Sequence, residues 1–171
     1  NKNELALSTL LAISEKFPSD PTVHLSLASY YQSIGNYEES YKELHLAFSN
    51  PSLEIDKKIG VLMSFYTLSD AFPKLRTNAL SLSKQLVISH PKDAKSHSMH
   101  GDFLYRENRL DSARYHYRTA LTIDVNHFFI WRQLLQLESE LMDYDAMLAE
   151  SNDAIDLFPS QSVLYLFNGI A

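Results

Sequence analysis

The chain has 171 residues, of which 45% are hydrophobic and 21% are charged, as in globular proteins and unlike disordered ones. It contains no cysteine and only four glycines, which excludes disulfides, thiolate chemistry and glycine-rich phosphate loops. The net charge is −6, and the acids concentrate in residues 133–171, which hold seven acids and no Lys or Arg. This balance gives no electrostatic reason to expect nucleic acid as a ligand.

Apolar residues recur every three or four positions along the whole chain, which indicates helices and not strands. Prolines mark the junctions, because a proline inside a helix loses a hydrogen bond and clashes with the preceding turn. Together these features predict ten helices in antiparallel pairs, over residues 2–17, 21–34, 37–49, 52–68, 72–90, 94–107, 110–123, 127–141, 144–158 and 161–171.

Short polar residues stand immediately before most of these helices. Such side chains satisfy the free backbone amides of a first helical turn, so we expect them to act as N-caps. The predicted caps are Asp20, Asn36, Asp93, Asn126, Asp143 and Ser160.

The prolines also reveal a repeat. Pro18 and Pro51 are 33 residues apart, Pro51 and Pro91 are 40 apart, and Pro91 and Pro159 are 68 apart, which is twice 34. The proline expected halfway between Pro91 and Pro159 is replaced by Val125, which lies in a segment that resembles the same helix-ending turn. A period near 34 predicts stacked helix pairs that bury an apolar face only against their neighbours. We expect the six extra residues of the 40-residue unit, around residues 68–75, to lengthen its two helices.

With this period and these prolines, the sequence resembles a tetratricopeptide repeat (TPR) protein. Three units carry the match, and the resemblance extends over nearly the whole chain. Ser40, Met147, Leu135 and Glu138 depart from the small or aromatic residues of the pattern, and the unit 51–91 fits only in its second helix and closing proline. The matching residues are Leu27, Ala28, Tyr31, Gly35, Tyr37, Leu44, Ala47 and Pro51; Gly101, Ala113, Tyr117 and Ala120; and Trp131, Tyr144, Ala154 and Pro159.

The resemblance implies an all-α, right-handed α-solenoid of antiparallel helix pairs, forming a single array with units near 1–18, 19–51, 52–91, 92–125, 126–159 and 160–171. It also implies a non-enzymatic scaffold without a cofactor, which binds a peptide or protein segment in a concave groove lined by the first helix of each pair. The groove positions implied by register are Thr22, Leu25, Ser29, Gln32, Lys95, Ser98, Asp102, Arg106, Phe129, Arg132, Gln136 and Glu140. Leu25 and Ser29 replace the Lys and Asn of the family's carboxylate clamp, so binding of chaperone tails is disfavoured.

Small residues are expected where helices approach closely. We place Gly101 at such a contact and Gly169 at the equivalent position one unit after Trp131. Gly35 is expected in the turn between two paired helices.

Other chemistry finds little support in the sequence. His97 and His100 are three residues apart on one helix, which suits a metal, but both fall on positions that pack against the neighbouring helix. No nucleophile motif or catalytic carboxylate pair is present, since Glu138 and Glu140 face different sides of their helix. A basic stretch interpreted as solvated surface comprises Lys57, Lys58, Lys74, Arg76, Lys84, Lys92 and Lys95.

The ends of the chain bear on assembly. The sequence opens inside a second helix and stops in a first helix, so we expect a fragment of a longer array, with possible self-association through residues 161–171. A structural role, by end-to-end or convex-face stacking of subunits, is therefore the alternative function. The absence of cysteine fits a cytoplasmic or an exported, periplasmic compartment equally well. The residue pattern of the units resembles that of bacterial TPR proteins.

Overall fold

A computed structural model describes residues 2–68 and 73–171. Within these ranges the chain forms ten α-helices and no strand. The helices are α1 (Lys2–Lys16), α2 (Pro21–Ser33), α3 (Tyr37–Ser49), α4 (Ile55–Leu68), α5 (Pro73–Ser89), α6 (Ala94–Arg106), α7 (Leu110–Ile123), α8 (Phe128–Leu141), α9 (Tyr144–Leu157) and α10 (Ser162–Ile170). The ten predicted helices are confirmed, with α4 starting three residues later than expected. The insertion around residues 68–75 lies largely outside the described residues.

The late start of α4 has a local cause. Asn50 accepts a hydrogen bond on Oδ1 from the amide of Ser52, and its carbonyl accepts one from the amide of Leu53. These bonds hold residues 50–53 in a turn, and Leu53 is buried beneath it. The helix can therefore begin only after the turn is complete.

Side-chain caps explain four of the other starts. Asp20, Asn36, Asp93 and Asp143 each accept a hydrogen bond from a backbone amide in the first turn of the following helix. The predictions for residues 126 and 160 were wrong, because α8 and α10 begin after His127 and Gln161, neither of which makes a capping bond.

The helices form two compact units, residues 1–91 and 92–171. In the first, α2 and α3 form a hairpin, α1 packs on α2, and α5 packs on both α3 and α4. In the second, α6 and α7 form a hairpin, followed by α8 and α9, and α10 packs on α8 and α9. Each unit buries a continuous apolar core between its helices, as expected of stacked helix pairs.

The turns inside three hairpins share one conformation. Gly35, Asn108 and Met142 occupy the equivalent position of the turn, and each has a φ between 56° and 75°. This left-handed conformation costs least for glycine and is tolerated by asparagine. The repeat therefore imposes the same backbone shape on three different side chains.

Small residues of the repeat pattern are buried between the helices. Ala28, Ala47, Ala113 and Ala120 are buried at 2% exposure or less. Ser40, a departure from the repeat pattern, is also buried, and its hydroxyl donates to the carbonyl oxygen of Ala28 at 2.9 Å. The hydroxyl thus bonds across the hairpin at a site where the pattern expects a methyl group. The prediction for Gly169 was wrong, because nothing lies within 4 Å of the place where its Cβ would stand.

Candidate functional site

Helices α6 and α8, the first helices of two consecutive pairs, are joined by side-chain hydrogen bonds. Gln133 Nε2 donates to Asp102 Oδ1 at 2.7 Å, and the Tyr105 hydroxyl donates to Glu140 Oε1. These bonds place polar residues from both helices side by side. We call this region the α6–α8 surface, and it comprises Asp102, Tyr105, Arg106, Phe129, Arg132, Gln133, Gln136 and Glu140.

An exposed aromatic ring stands on this surface. Phe129 is 67% exposed, and the Arg132 guanidinium lies 5.5 Å from the centre of its ring. The two residues are three positions apart on α8, which puts them on the same side of the helix. Phenylalanine and arginine are both enriched at protein interfaces relative to the rest of the surface.

Asp102 is a titratable group of this surface that is strongly affected by its surroundings. Burial raises the pKa of its carboxyl to about 6, although hydrogen bonds from Tyr117 and Gln133 oppose the rise by favouring the ionised form. Both donors bind the same oxygen, Oδ1, at 2.9 Å and 2.7 Å. The carboxyl is therefore held in one orientation by a residue of α7 and a residue of α8.

The remaining groove positions are distributed over two units. Lys95 is exposed at the start of α6, and Arg106 is half-buried at its end. Gln136 is exposed and donates to Glu140 Oε1 at 3.0 Å. Thr22, Ser29 and Gln32 are exposed on α2 in the first unit, whereas Leu25 on α2 and Ser98 on α6 are half-buried.

Sequence reasoning missed Gln133 and Tyr105, which connect α6 to α8. Gln133 lies four residues after Phe129 and three before Gln136, so helical spacing puts it on the same face as both. That periodicity could have identified it. Tyr105 likewise lies three residues after Asp102, so the same spacing could have identified it, whereas its bond to Glu140, 35 residues away, could not be read from the sequence.

The histidines form a separate cluster between α6 and α7. His97 and His100 are buried, and His97 Nδ1 lies 3.1 Å from Nδ1 of His116. The pKa of His116 is lowered to about 4, first by burial and then by the charge of His97. The prediction that His97 and His100 pack against the neighbouring helix is therefore confirmed. Among the described residues, no group of three or more potential ligands is arranged to hold a metal ion.

The basic stretch is not uniformly solvated, because Lys58 is fully buried. Its Nζ donates to the carbonyl oxygens of Phe48 and Asn50 and to Oγ of Ser89, each at 2.9 Å, and lies 3.0 Å from Nε2 of His90. Burial lowers the pKa of its ammonium group to about 8. Lys58 thus joins the end of α3 to the end of α5 and is unavailable to an acidic partner.

A second charged network links α7, α8 and α9. The fully buried Glu138 accepts from Arg118 Nη2 at 2.9 Å and from Arg114 Nη1 at 3.4 Å. Arg114 also pairs with Asp111 and Asp143, and Arg118 Nε donates to Glu150 Oε1 at 2.6 Å. This network accounts for Glu138, which stands where the repeat pattern favours an aromatic residue.

Comparison with solved structures identifies the fold. A thermophilic TPR protein from Thermus thermophilus, TTC0263, matches 98% of the chain over 89% of its own, with a TM-score of 0.61 and 17% identity. MamA matches 88% of the chain over 79% of its own, with a TM-score of 0.61 and 13% identity. The C-terminal part of a TPR repeat-containing protein from Cytophaga hutchinsonii matches 98% of the chain over 64% of its own, with a TM-score of 0.57 and 14% identity.

These similarities show that the chain has the all-α solenoid fold of TPR proteins, as the resemblance implied. No family model matches the sequence, and no curated protein matches it. In the described part of the chain, no helix has the length and apolar character needed to cross a bilayer.

Proposed function

We propose that the protein is a non-enzymatic interaction scaffold and that the α6–α8 surface binds a segment of a protein partner. The observation that carries the proposal is the exposed Phe129 ring beside the Arg132 guanidinium. The TPR fold supports a scaffold in general terms, because stacked helix pairs present extended surfaces for partners.

The neighbouring polar groups support this assignment. The Asp102–Gln133 and Tyr105–Glu140 bonds fix several side chains before any partner arrives, which reduces the conformational entropy lost on binding. Phe129 supplies apolar area, while Arg132 supplies a charge for a carboxylate or a backbone carbonyl of the bound segment.

Site-specific photocrosslinking in cells of the source organism tests the surface. A benzoylphenylalanine at position 129 would capture whatever lies against the α6–α8 surface. The matched control is the same residue at position 115, because Tyr115 on α7 is 65% exposed and thus equally accessible. We expect a discrete crosslinked protein from position 129 and none from position 115.

Charge reversal then tests the chemistry. Arg132→Glu should abolish the crosslink, since the contact would change from attraction to repulsion, while the melting temperature stays unchanged at this exposed site. Equal crosslinking from positions 129 and 115, or an Arg132→Glu variant that crosslinks normally, would contradict the proposal.

The alternative function, self-assembly, has one observation in its favour. Helix α10 buries Leu164 and Phe167 but leaves Tyr165, Leu166 and Ile170 at least half exposed. An apolar helix face of this kind suits contact with another subunit.

Light scattering distinguishes the two functions. Truncation of residues 161–171 would also remove buried core, so Leu166→Glu is the sharper variant. An oligomer that dissociates in this variant supports assembly, whereas a monomer at all concentrations excludes it for this chain.

A further inference from the structure

A cleft of about 250 Å³ opens in the second unit between α7, α8 and α9. It shares no residue with the α6–α8 surface, although α8 contributes Trp131 and Leu134 to its lining. Its apolar part is formed by Leu121, Trp131 and Leu134, and its charged part by Arg118, Glu150 and Asp153. We call it the α7–α9 cleft.

The apolar part of the cleft is rigid. Leu121 and Leu134 belong to the core, and Trp131 is buried with its indole N–H donating to the carbonyl oxygen of Val125 at 2.9 Å. This bond ties α8 to the segment that ends α7. The cleft is therefore shaped by residues that the fold itself holds in place.

Glu150 lines the cleft, and one of its two carboxyl oxygens has no hydrogen-bond partner among the described residues. Its Oε1 accepts from Arg118, whereas Oε2 is shielded from solvent and accepts no hydrogen bond from the described residues. Burial raises the pKa of this carboxyl to about 7, despite the neighbouring Arg118. A donor that reached Oε2 would satisfy it and favour the ionised form.

The charges around the cleft favour a cation. Arg118 is already engaged by Glu138 and Glu150, and Arg114 by Glu138, Asp111 and Asp143. Asp153 adds an exposed carboxylate at the cleft. Of the three charged residues that line the cleft, Arg118 is already paired, whereas Glu150 and Asp153 are acidic, and residues 133–171 contain no Lys or Arg.

We propose that the α7–α9 cleft binds a basic side chain of a protein partner, with its aliphatic stem against Trp131, Leu121 and Leu134 and its cationic group between Glu150 and Asp153. A lysine or arginine combines an apolar stem with a charged end, which matches the two parts of the lining. The two acidic residues of the lining favour a basic segment over an acidic one, because Arg118 is already paired.

The sequence provides its own reporter for this site, because Trp131 is the single tryptophan of the chain. We would titrate the full chain with acetyl-Leu-Lys-Leu-amide and follow tryptophan fluorescence. The matched peptide carries norleucine in place of lysine, which keeps the stem and removes the charge. A saturable change with the lysine peptide and none with the norleucine peptide is expected.

Variants assign the binding to the cleft. Glu150→Gln should weaken binding of the lysine peptide by about tenfold or more, because a buried charge contact is lost. Asp145→Asn removes the same charge from an exposed position of the same helix and should change affinity little. Phe129→Ala should leave binding intact, which separates this site from the α6–α8 surface.

Three results would overturn the proposal. They are equal affinity for the norleucine peptide, unchanged affinity in a folded Glu150→Gln variant, and no saturable signal at millimolar lysine peptide. Circular dichroism of each variant establishes that it is folded.

Discussion

A β-carbon at Gly101 would lie 2.7 Å from Cε1 of Tyr117, closer than real β-carbon contacts allow. The Tyr117 ring cannot easily retreat, because it is buried and its hydroxyl is bonded to Asp102 at 2.9 Å. The absence of a side chain on α6 thus lets the aromatic ring of α7 pack against the helix backbone.

Gly101→Ala should therefore destabilise the protein by about 1–3 kcal/mol, because the overlap outweighs the roughly 1 kcal/mol that alanine gains in a helix. Gly169→Ala is the matched control, because nothing lies within 4 Å of its added Cβ. That variant should be unchanged or up to about 1 kcal/mol more stable. Urea denaturation of both measures the difference, and equal stabilities would refute the close contact.

Asp102→Asn should stabilise the protein at neutral pH. The folded pKa of about 6 exceeds the ordinary 3.8, so the folded state binds more protons and stability falls as pH rises between these values. Asparagine keeps an oxygen for Tyr117 and Gln133 without the charge. We expect a gain of about 1–2 kcal/mol at pH 7 and almost none at pH 3.5.

Urea denaturation of the wild type and this variant across pH 3.5–7 checks the effect of Asp102. A difference that is constant with pH would show that the carboxyl is ionised equally in both states. Asp145→Asn, at an exposed site, is the control for the change in net charge.

Lys58→Met should remove the part of the unfolding free energy that increases with pH in the alkaline range. Below pH 8 the ammonium is protonated in both states; between about pH 8 and 10.5 the unfolded chain binds more protons. Stability attributable to Lys58 therefore rises over this interval. The wild type minus the variant, measured by urea denaturation from pH 7.5 to 10.5, isolates this rise from tyrosine titration. A flat difference would contradict the burial of the amine.

Glu138→Gln should cost about 1–3 kcal/mol, less than a typical broken buried pair, because Arg114 and Arg118 retain other carboxylate partners. Glu140→Gln is the matched control, since Glu140 is exposed two residues later on the same helix and glutamine keeps an oxygen that can accept from Tyr105 and Gln136. Its effect should stay below about 0.5 kcal/mol. Thermal and urea denaturation measure both, and similar losses in the two variants would show that the network contributes nothing specific.

The helices were predictable because prolines, caps and apolar spacing are local signals. Asp20, Asn36, Asp93 and Asp143 act within three residues, so their roles can be read directly from the chain. The fold followed from the same signals because stacking repeats one local unit.

The features that were not predicted from the sequence depend on contacts between residues that are far apart in the chain. Lys58 looked like one member of a basic surface, yet its partners Ser89 and His90 lie 31 and 32 residues away. Its spacing from Leu62 and Phe65, four and seven residues on, placed it on the buried face and could have revealed it. The α7–α9 cleft gave no sequence signal, since it combines residues from three helices.

The enclosure of Lys58 has a practical consequence for protein chemistry. Lys42 and Lys57 have side chains more than half exposed, so an acylating reagent reaches them in the native protein. The amine of Lys58 reacts only when the ends of α3 and α5 separate. Its rate of modification, measured by mass spectrometry, therefore reports how often the first unit opens at these helix ends.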